Sequence, residues 1–374
     1  MKEGKDRELS LLAKAAGEFG AKVLAPSREE NDQYPFGPLF EPALTRAFDL
    51  GFLHAGLPEN LEGLGDRLAP LCALLENVAR DDASMAAVIL TTAFAQNILL
   101  EAGEEERFKS FAGGSWTWAD VLMAAPLFRD PTETAPGLTA EKRGETFVLS
   151  GKSDYVVLGG IAKRAVLPAL DQAGALGYYL VDLGGWGIRK SGPVFSLGLH
   201  ACPAADLEFS GAEALSVGKA GDGGKLFRAV SQRFSVAAAA VLSGIMRGSF
   251  KEAADYAKKR QQGGKEIIRW SELRMILASM VQGVRSTGML VTEACRLWDA
   301  GDPKRRSAAL SAFLHAAEAA ISATTDGIQA LGGVGYMKDF GQEKRFRDAQ
   351  HLSAAFGILP RKKLALLKLT MAGE

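Results

Sequence analysis

The order of helix-forming and strand-forming segments constrains the fold of this chain more than any single motif. Residues 1–113 carry apolar residues at helical spacing and are broken by several prolines. Residues 114–218 contain short β-branched and aromatic runs between glycines and prolines, and residues 219–374 return to long helical patterns. The closely spaced strand runs favour a small barrel or sandwich over βαβ units. The sequence therefore predicts an α+β protein with a helical domain, a β domain and a four-helix bundle, divided at these boundaries.

The spacing of apolar residues also predicts individual elements. Strands are expected at 146–151, 155–158, 165–167, 178–181 and 206–209. Long helices are expected at 225–259, 270–300 and 306–331, with a fourth after His351. Trp116 and Trp118 stand two residues apart, which favours one buried strand face, although either ring could instead stack on a ligand.

Charge and composition exclude several classes of function. Lys and Arg number 44, as do Asp and Glu, and no basic run suggests a nucleic-acid surface. No uninterrupted apolar run reaches the roughly 18 residues of a membrane span, and no secretory signal opens the chain. The 3 cysteines and 4 histidines are dispersed, so no metal site and no disulfide are expected. These observations predict a cytoplasmic protein.

A glycine-rich loop follows the third long helix of the C-terminal region. It reads Gln329-Ala330-Leu331-Gly332-Gly333-Val334-Gly335. Paired glycines let backbone N–H groups approach a ligand closely, and such a turn at a helix end can hold a pyrophosphate. The alternative is a simple helix C-cap with a tight turn.

A basic segment ends the first long helix of that region. Arg260 is followed by Gln261-Gln262-Gly263-Gly264-Lys265. A guanidinium suits a phosphate because its fork donates two hydrogen bonds and keeps its charge. The alternative is a cationic helix C-terminus closed by glycines.

These two segments, in this order, resemble those of the acyl-CoA dehydrogenase family. The resemblance extends through Tyr336-Met337-Lys338-Asp339-Phe340 and through residues 343–349, which read Glu-Lys-Arg-Phe-Arg-Asp-Ala. It implies the same three-domain fold, FAD as cofactor and an acyl-CoA substrate. It also implies a dimer, or a dimer of dimers, in which the FAD phosphates of a neighbouring subunit are contacted by Arg260, Gln329, Gly332 and Gly333.

The sequence departs from the family at the catalytic base. Members usually carry Tyr-Glu-Gly-Thr-Ser after the Arg-Asp-Ala, and the Glu removes the α-proton. Gly357 keeps that register, but Phe356 stands in the place of the Glu and Ile358 in that of the Thr. In a minority branch the Glu precedes an Arg on the first bundle helix, and here that pair reads Gln232-Arg233. Neither Phe356 nor Gln232 can accept a proton, so no catalytic residue is predicted.

Three other carboxylates are candidate bases by position only, namely Asp81, Asp82 and Asp120. Each is expected to be a solvated or helix-capping group, and Asp348 is expected to pair with an arginine.

The β domain also departs from the family's sequence pattern. Residues 116–123 stand where members carry Thr-Glu-Pro-x-Ala-Gly-Ser-Asp, and residues 155–160 replace a Trp-Ile-Thr-Asn segment. In the family both segments face the flavin and its substrate. Leu149-Ser150-Gly151-Lys152 does match the family pattern. The β domain is therefore expected to be present with altered side chains around the flavin.

Three hypotheses follow. The chain is a subunit of a heteromeric acyl-CoA dehydrogenase, giving cross-subunit FAD contacts to a homologous partner that carries the Glu and reduces an electron-transfer flavoprotein. Alternatively, it is a homomeric flavoenzyme with a relocated base or with flavin-dependent oxygenase chemistry. In the third case it is a flavin-free structural or binding protein on the same scaffold.

Overall fold

The structure is a computed structural model that describes residues 2–34, 41–110 and 117–373. Its N-terminal part is helical. The helices are α1 (Lys2–Phe19), α2 (Arg28–Asn31), α3 (Glu41–Asp49), α4 (Leu68–Ala79), α5 (Ala83–Glu101) and α6 (Glu105–Ser110). Helix α5 is apolar on every side and is the buried centre of this part, since its residues from Ala83 to Leu99 are all buried.

The middle of the chain is a small closed barrel. Its strands are β1 (Met123–Ala124), β2 (Leu138–Arg143), β3 (Thr146–Val157), β4 (Arg164–Asp171), β5 (Leu176–Asp182), β6 (Ile188–Lys190) and β7 (Ala204–Val217). Strands β4, β2, β3, β7 and β5 pair in that order, and β5 pairs back onto β4. The pairing of β5 with β4 closes the ring and confirms the predicted barrel.

Two local predictions in this region were wrong. The strands expected at 146–151 and 155–158 are one strand, β3, which pairs with β7 along its length. An irregularity after Ser153 bends it, and Tyr155 takes a φ of +54° there. Trp118 begins a short helix, α7 (Trp118–Val121), rather than a strand. Trp116 lies outside the described residues.

The C-terminal part is a bundle of long helices. They are α8 (Gly223–Lys259), α9 (Ser271–Asp299), α10 (Arg305–Leu331), α11 (Gln342–Leu352) and α12 (Leu359–Met371). The four predicted helices are confirmed as α8, α9, α10 and α12, whereas α11 was not predicted. Helices α5 and α8 are long and apolar enough to cross a membrane, but 94% and 83% of their apolar windows are buried inside the protein. Burial by neighbouring helices explains their composition, as for any core helix.

Helix α11 joins all three parts of the molecule through a buried charge network. The ammonium of Lys344 lies 2.6 Å from Asp348 and 3.3 Å from Asp82. Asp348 also accepts a hydrogen bond from the Leu199 backbone N–H, at 2.7 Å. The expected arginine partner of Asp348 was therefore wrong, because Lys344 occupies the same helical face one turn earlier. This network holds α11 against the N-terminal part and the barrel region, and the segment that carries Phe356 follows α11.

Candidate functional site

The glycine-rich loop is exposed and open at its two central positions. Gly332 has φ +64° and ψ −141°, a conformation that essentially only glycine adopts. A Cβ atom at Gly332 or Gly333 would meet nothing within 4 Å, whereas one at Gly335 would lie 2.4 Å from the Ile328 carbonyl oxygen. Gln329 is exposed on the last turn of α10. The first two glycines thus leave room for an outside ligand, and Gly335 serves packing.

Arg260 ends helix α8 beside the segment that follows this loop. The rings of Tyr256, in the last turn of α8, and Phe340 meet edge to face at 6.0 Å. Arg260 itself is exposed and lies at the base of a short hairpin whose turn is Gly263-Gly264. Both glycines have positive φ, at +65° and +82°. Tyr256, one turn before Arg260, thus packs on Phe340, which follows the glycine-rich loop, and contact of either predicted segment with FAD stays a prediction.

The residue at the position of the usual base is buried and apolar. Phe356 is 2% exposed, and its ring lies 5.0 Å from that of Phe94 on α5. Its backbone N–H donates to the Leu127 carbonyl at 2.8 Å. Its φ is +57°, a left-handed backbone conformation that costs a phenylalanine about 1–2 kcal/mol.

The alternative base position is also engaged in a structural contact. The Gln232 amide oxygen accepts a hydrogen bond of 3.0 Å from Arg306 at the start of α10. The neighbouring Arg233 donates to Asn97 and to the Asp66 carbonyl. Burial lowers the pKa of Arg233, and nearby carboxylates oppose that shift. Both residues tie helices together, and neither is ionisable in the way a base requires.

The three carboxylates named by position have structural partners. Asp82 caps α5 by accepting from the Ser84 N–H at 2.7 Å. Asp120 accepts from Thr117 in a capping box and pairs with Lys163 at 2.7 Å. Asp81 pairs with Arg80, also at 2.7 Å. The expected capping role is confirmed for Asp82 and Asp120.

A backbone bridge joins the residue after β1 to one of the segments expected to face a flavin. Of the expected segment 116–123, the described residues form α7 and the first residue of β1. Ala125 and Val157 exchange two backbone hydrogen bonds, at 3.0 and 3.2 Å. A nearby cavity, whose lining includes Phe94, Pro126 and Tyr178 but none of residues 155–160, measures about 20 Å³. That volume holds about one water, whereas ligand pockets measure roughly 300–1,000 Å³.

A tyrosine–histidine pair closes the same junction. His351 on α11 donates from Nδ1 to the Gly198 carbonyl at 2.7 Å, since a carbonyl can only accept. Its Nε2 therefore accepts from the Tyr155 hydroxyl at 2.9 Å. Burial lowers the pKa of His351 and raises the pKa of Tyr155 to about 12, so both groups are neutral at physiological pH. Phe128 stacks on the imidazole at 4.5 Å.

Sequence reasoning missed Lys362, a buried lysine on α12. Its Nζ donates to the Phe356 carbonyl at 2.6 Å and lies 5.5 Å from the centre of the Phe313 ring. Burial lowers the pKa of Lys362 to about 8, although Asp130 and Glu133 oppose the shift. Its place five residues after Gly357 was the only available signal, and that signal is weak.

Comparison with known proteins agrees with the fold and with the order of these segments. Residues 6–112 match the family model of the acyl-CoA dehydrogenase N-terminal domain, and residues 227–358 match that of the C-terminal domain. An acyl-CoA dehydrogenase of Bacillus subtilis is 26% identical over 98% of this chain and 99% of its own length. A caffeyl-CoA reductase–Etf complex subunit of Acetobacterium woodii is 24% identical over 91% and 92%.

Among solved structures, butyryl-CoA dehydrogenase of Megasphaera elsdenii superposes with a TM-score of 0.88. It is 23% identical and covers 97% of this chain and 98% of its own. The fold is thus that of the acyl-CoA dehydrogenases. The chain belongs to the acyl-CoA dehydrogenase family, whose cofactor is FAD.

The outward-facing residues fit the pyrophosphate part of an FAD molecule. The open glycines and the exposed Arg260 suit a pyrophosphate approaching from outside the chain. The segments that face the flavin in the family differ here in sequence, and in one of them Tyr155 and Val157 are hydrogen-bonded to His351 and Ala125.

Proposed function

We propose that this chain is the non-catalytic subunit of a heteromeric acyl-CoA dehydrogenase. It supplies phosphate contacts to an FAD held mainly by a homologous partner chain that carries the catalytic Glu. One observation carries the proposal. The outward-facing residues Gln329, Gly332 and Gly333 are exposed and open, whereas Phe356 and Gln232, at the two base positions, have structural contacts.

Each residue of the outward surface has a separate task in this arrangement. Arg260 pairs with a phosphate oxygen by charge-assisted hydrogen bonds, and the exposed backbone around Gly332 and Gly333 approaches the pyrophosphate closely. Gln329 adds an amide donor. FAD held there would supply a hydride acceptor for the acyl-CoA, and the partner's Glu would take the α-proton. An electron-transfer flavoprotein then reoxidises the cofactor, as the resemblance implies.

Co-expression with a homologous chain that keeps the Glu tests the proposal. We expect a stable complex in which Arg260→Gln weakens FAD binding roughly ten- to hundredfold, the loss of one charge-assisted hydrogen bond. Lys258→Gln is the matched control, because Lys258 is an exposed cation two residues earlier on the same helix. Fluorescence titration of the deflavinated complex with FAD gives both affinities.

Two outcomes favour the other hypotheses. An active homomer with one FAD per chain supports a flavoenzyme with a relocated base or oxygenase chemistry. A complex whose FAD affinity is the same with Arg260→Gln as with Lys258→Gln supports a flavin-free scaffold role. Either result contradicts the proposed function.

A further inference from the structure

The space beside the base position is filled by the protein's own aromatic side chains. A base must lie within hydrogen-bond reach of the proton it removes, so in an active member the acyl thioester lies next to this position. Here the Phe356 ring packs on Phe94 at 5.0 Å. Phe94 in turn packs edge to face on Phe234 at 5.7 Å and on Phe227 at 6.4 Å. All four rings are buried.

The backbone of this position is held as firmly as its side chain. The Phe356 N–H is bonded to the Leu127 carbonyl and the Phe356 carbonyl to Lys362 Nζ, so both peptide groups are satisfied within the chain. Lys362 is 9% exposed. An amine buried to this extent is retained where it has a specific partner, and its short bond to Phe356 supplies one. Lys362 is therefore a positioning residue for the loop.

The flavin side of the same space is closed independently. Tyr155, His351 and Phe128 form a neutral, hydrogen-bonded cluster between the barrel and α11. Opening the space for a ring and a thioester requires the loss of these contacts together with the Phe356–Leu127 bond. Small rearrangements of one side chain do not create such a volume.

We propose that Phe356, locked by Lys362, is a built-in plug that keeps this chain's own acyl-thioester site closed. The chain therefore binds no acyl-CoA by itself, and a heteromer holds one acyl-CoA for every two chains. This inference rests on the proposed function for its stoichiometry, whereas the closure of the site in the isolated chain stands without a partner.

Equilibrium dialysis against butyryl-CoA tests the closure. We expect no saturable binding by the purified chain alone and one butyryl-CoA per two chains in the complex. One butyryl-CoA per chain, in either preparation, overturns the plug. Binding measured in this way requires no turnover and no flavin signal.

Hydrogen exchange tests the lock. We expect the Phe356 amide to exchange slowly in the wild-type protein and at least tenfold faster in Lys362→Met. The amide of Leu90, in the fully buried middle of α5, serves as an internal reference for global opening. Lys363→Met, an exposed neighbour paired with Glu318, is the matched control. Rapid exchange in the wild type, or equal rates in the two variants, contradicts the role of Lys362.

The two proposals fail in different ways. Binding of butyryl-CoA by every chain, together with loss of FAD affinity in Arg260→Gln, overturns the plug and leaves the proposed function standing. Absence of butyryl-CoA binding by the isolated chain, together with unchanged FAD affinity in Arg260→Gln, leaves the plug and overturns the proposed function.

Discussion

The ammonium of Lys362 donates a 2.6 Å hydrogen bond to the carbonyl of Phe356, and both residues are buried. This contact joins helix α12 to the loop in which active relatives carry their base. The carboxylates of Asp130 and Glu133 act to raise the pKa of Lys362. Since burial outweighs them and lowers the pKa of Lys362 to about 8, the charge is retained at neutral pH at a cost to stability.

Because of this cost, the free energy of unfolding is expected to depend on pH in the wild type, and Lys362→Met is expected to remove that dependence. Below about pH 8 the lysine is protonated in both the folded and the unfolded chain. Between about pH 8 and pH 10.5 the unfolded chain binds a proton that the folded chain has released, so the free energy of unfolding rises with pH. Across this range the free energy of unfolding of the wild type is expected to rise by about 3 kcal/mol more than that of Lys362→Met. Urea unfolding across this range measures it.

Lys363→Met serves as the control for the lysine experiment. Lys363 is exposed and makes a surface ion pair with Glu318, so its removal is expected to change stability little at any pH. The free energies of unfolding of the wild type and of Lys362→Met could instead differ by the same amount at every pH measured. That result would show that folding does not change the pKa of Lys362.

Restoring a carboxylate at the base position is predicted not to restore activity. Phe356→Glu places an acid beside the Phe94 ring, in a space without room for a substrate. We expect a loss of about 3 kcal/mol or more in the free energy of unfolding, with no acyl-CoA-dependent dye reduction by the chain. Phe356→Leu keeps an apolar side chain and is expected to lose less. Activity in Phe356→Glu supplied with FAD would mean that only the base is missing.

Much of the fold was predictable because its signals are local. Periodicity placed α8, α9 and α10 within one or two residues at nearly every end, and the spacing of short apolar runs favoured a barrel. The bend in β3 was misread because Gly151 to Asp154 has the composition of a turn, while its pairing with β7 is set by residues about sixty positions away.

The site was predictable only where its chemistry lies in one segment. The glycines at 332 and 333 indicated an open helix end from sequence alone. The partners of Phe356 could not be inferred, because Phe94 lies far along the chain and meets it only in the folded molecule. Lys344 was within reach of sequence reasoning, since it stands four residues before Asp348 on one helix.

The two loop glycines are predicted to differ when each is replaced by alanine. Gly332 has φ +64° and ψ −141°, so Gly332→Ala is expected to cost about 1–3 kcal/mol in the free energy of unfolding. Gly333 has no positive φ and open space around its Cα, so Gly333→Ala is expected to change stability by less than about 0.5 kcal/mol. Urea unfolding of the isolated chain compares them.

The Gly332→Ala and Gly333→Ala variants also distinguish an effect on stability from an effect on FAD binding. If the outward surface meets a pyrophosphate, Gly333→Ala weakens FAD binding in the complex although the chain is as stable as the wild type. An unchanged FAD affinity in that variant would remove Gly333 from the proposed contact surface. Equal stability of the two variants would contradict the backbone argument for Gly332.

Acid sensitivity is predicted to arise from Asp32, which links the N-terminal part to α11. Its carboxylate lies 2.5 Å from Arg347 and 3.0 Å from His200. Burial raises the pKa of Asp32, but the adjacent His200, the charge of Lys344 and the hydrogen bond from Arg347 outweigh it and lower the pKa to about 2. The carboxylate therefore contributes stability above about pH 4, and this contribution is lost as the pH falls toward 2.

Asp32→Asn is expected to lower the free energy of unfolding by roughly 2–4 kcal/mol at neutral pH, because Arg347 and His200 lose a buried partner. The difference in free energy of unfolding between Asp32→Asn and the wild type is expected to decrease below about pH 4. The pKa of His200, which Asp32 raises against the effect of burial, should fall in the variant, and NMR titration of the imidazole measures it. Asp255→Asn, at an exposed helix position paired with Lys251, is the control. An unchanged His200 pKa would show that Asp32 does not act through this pair, since loss of a nearby carboxylate must lower it.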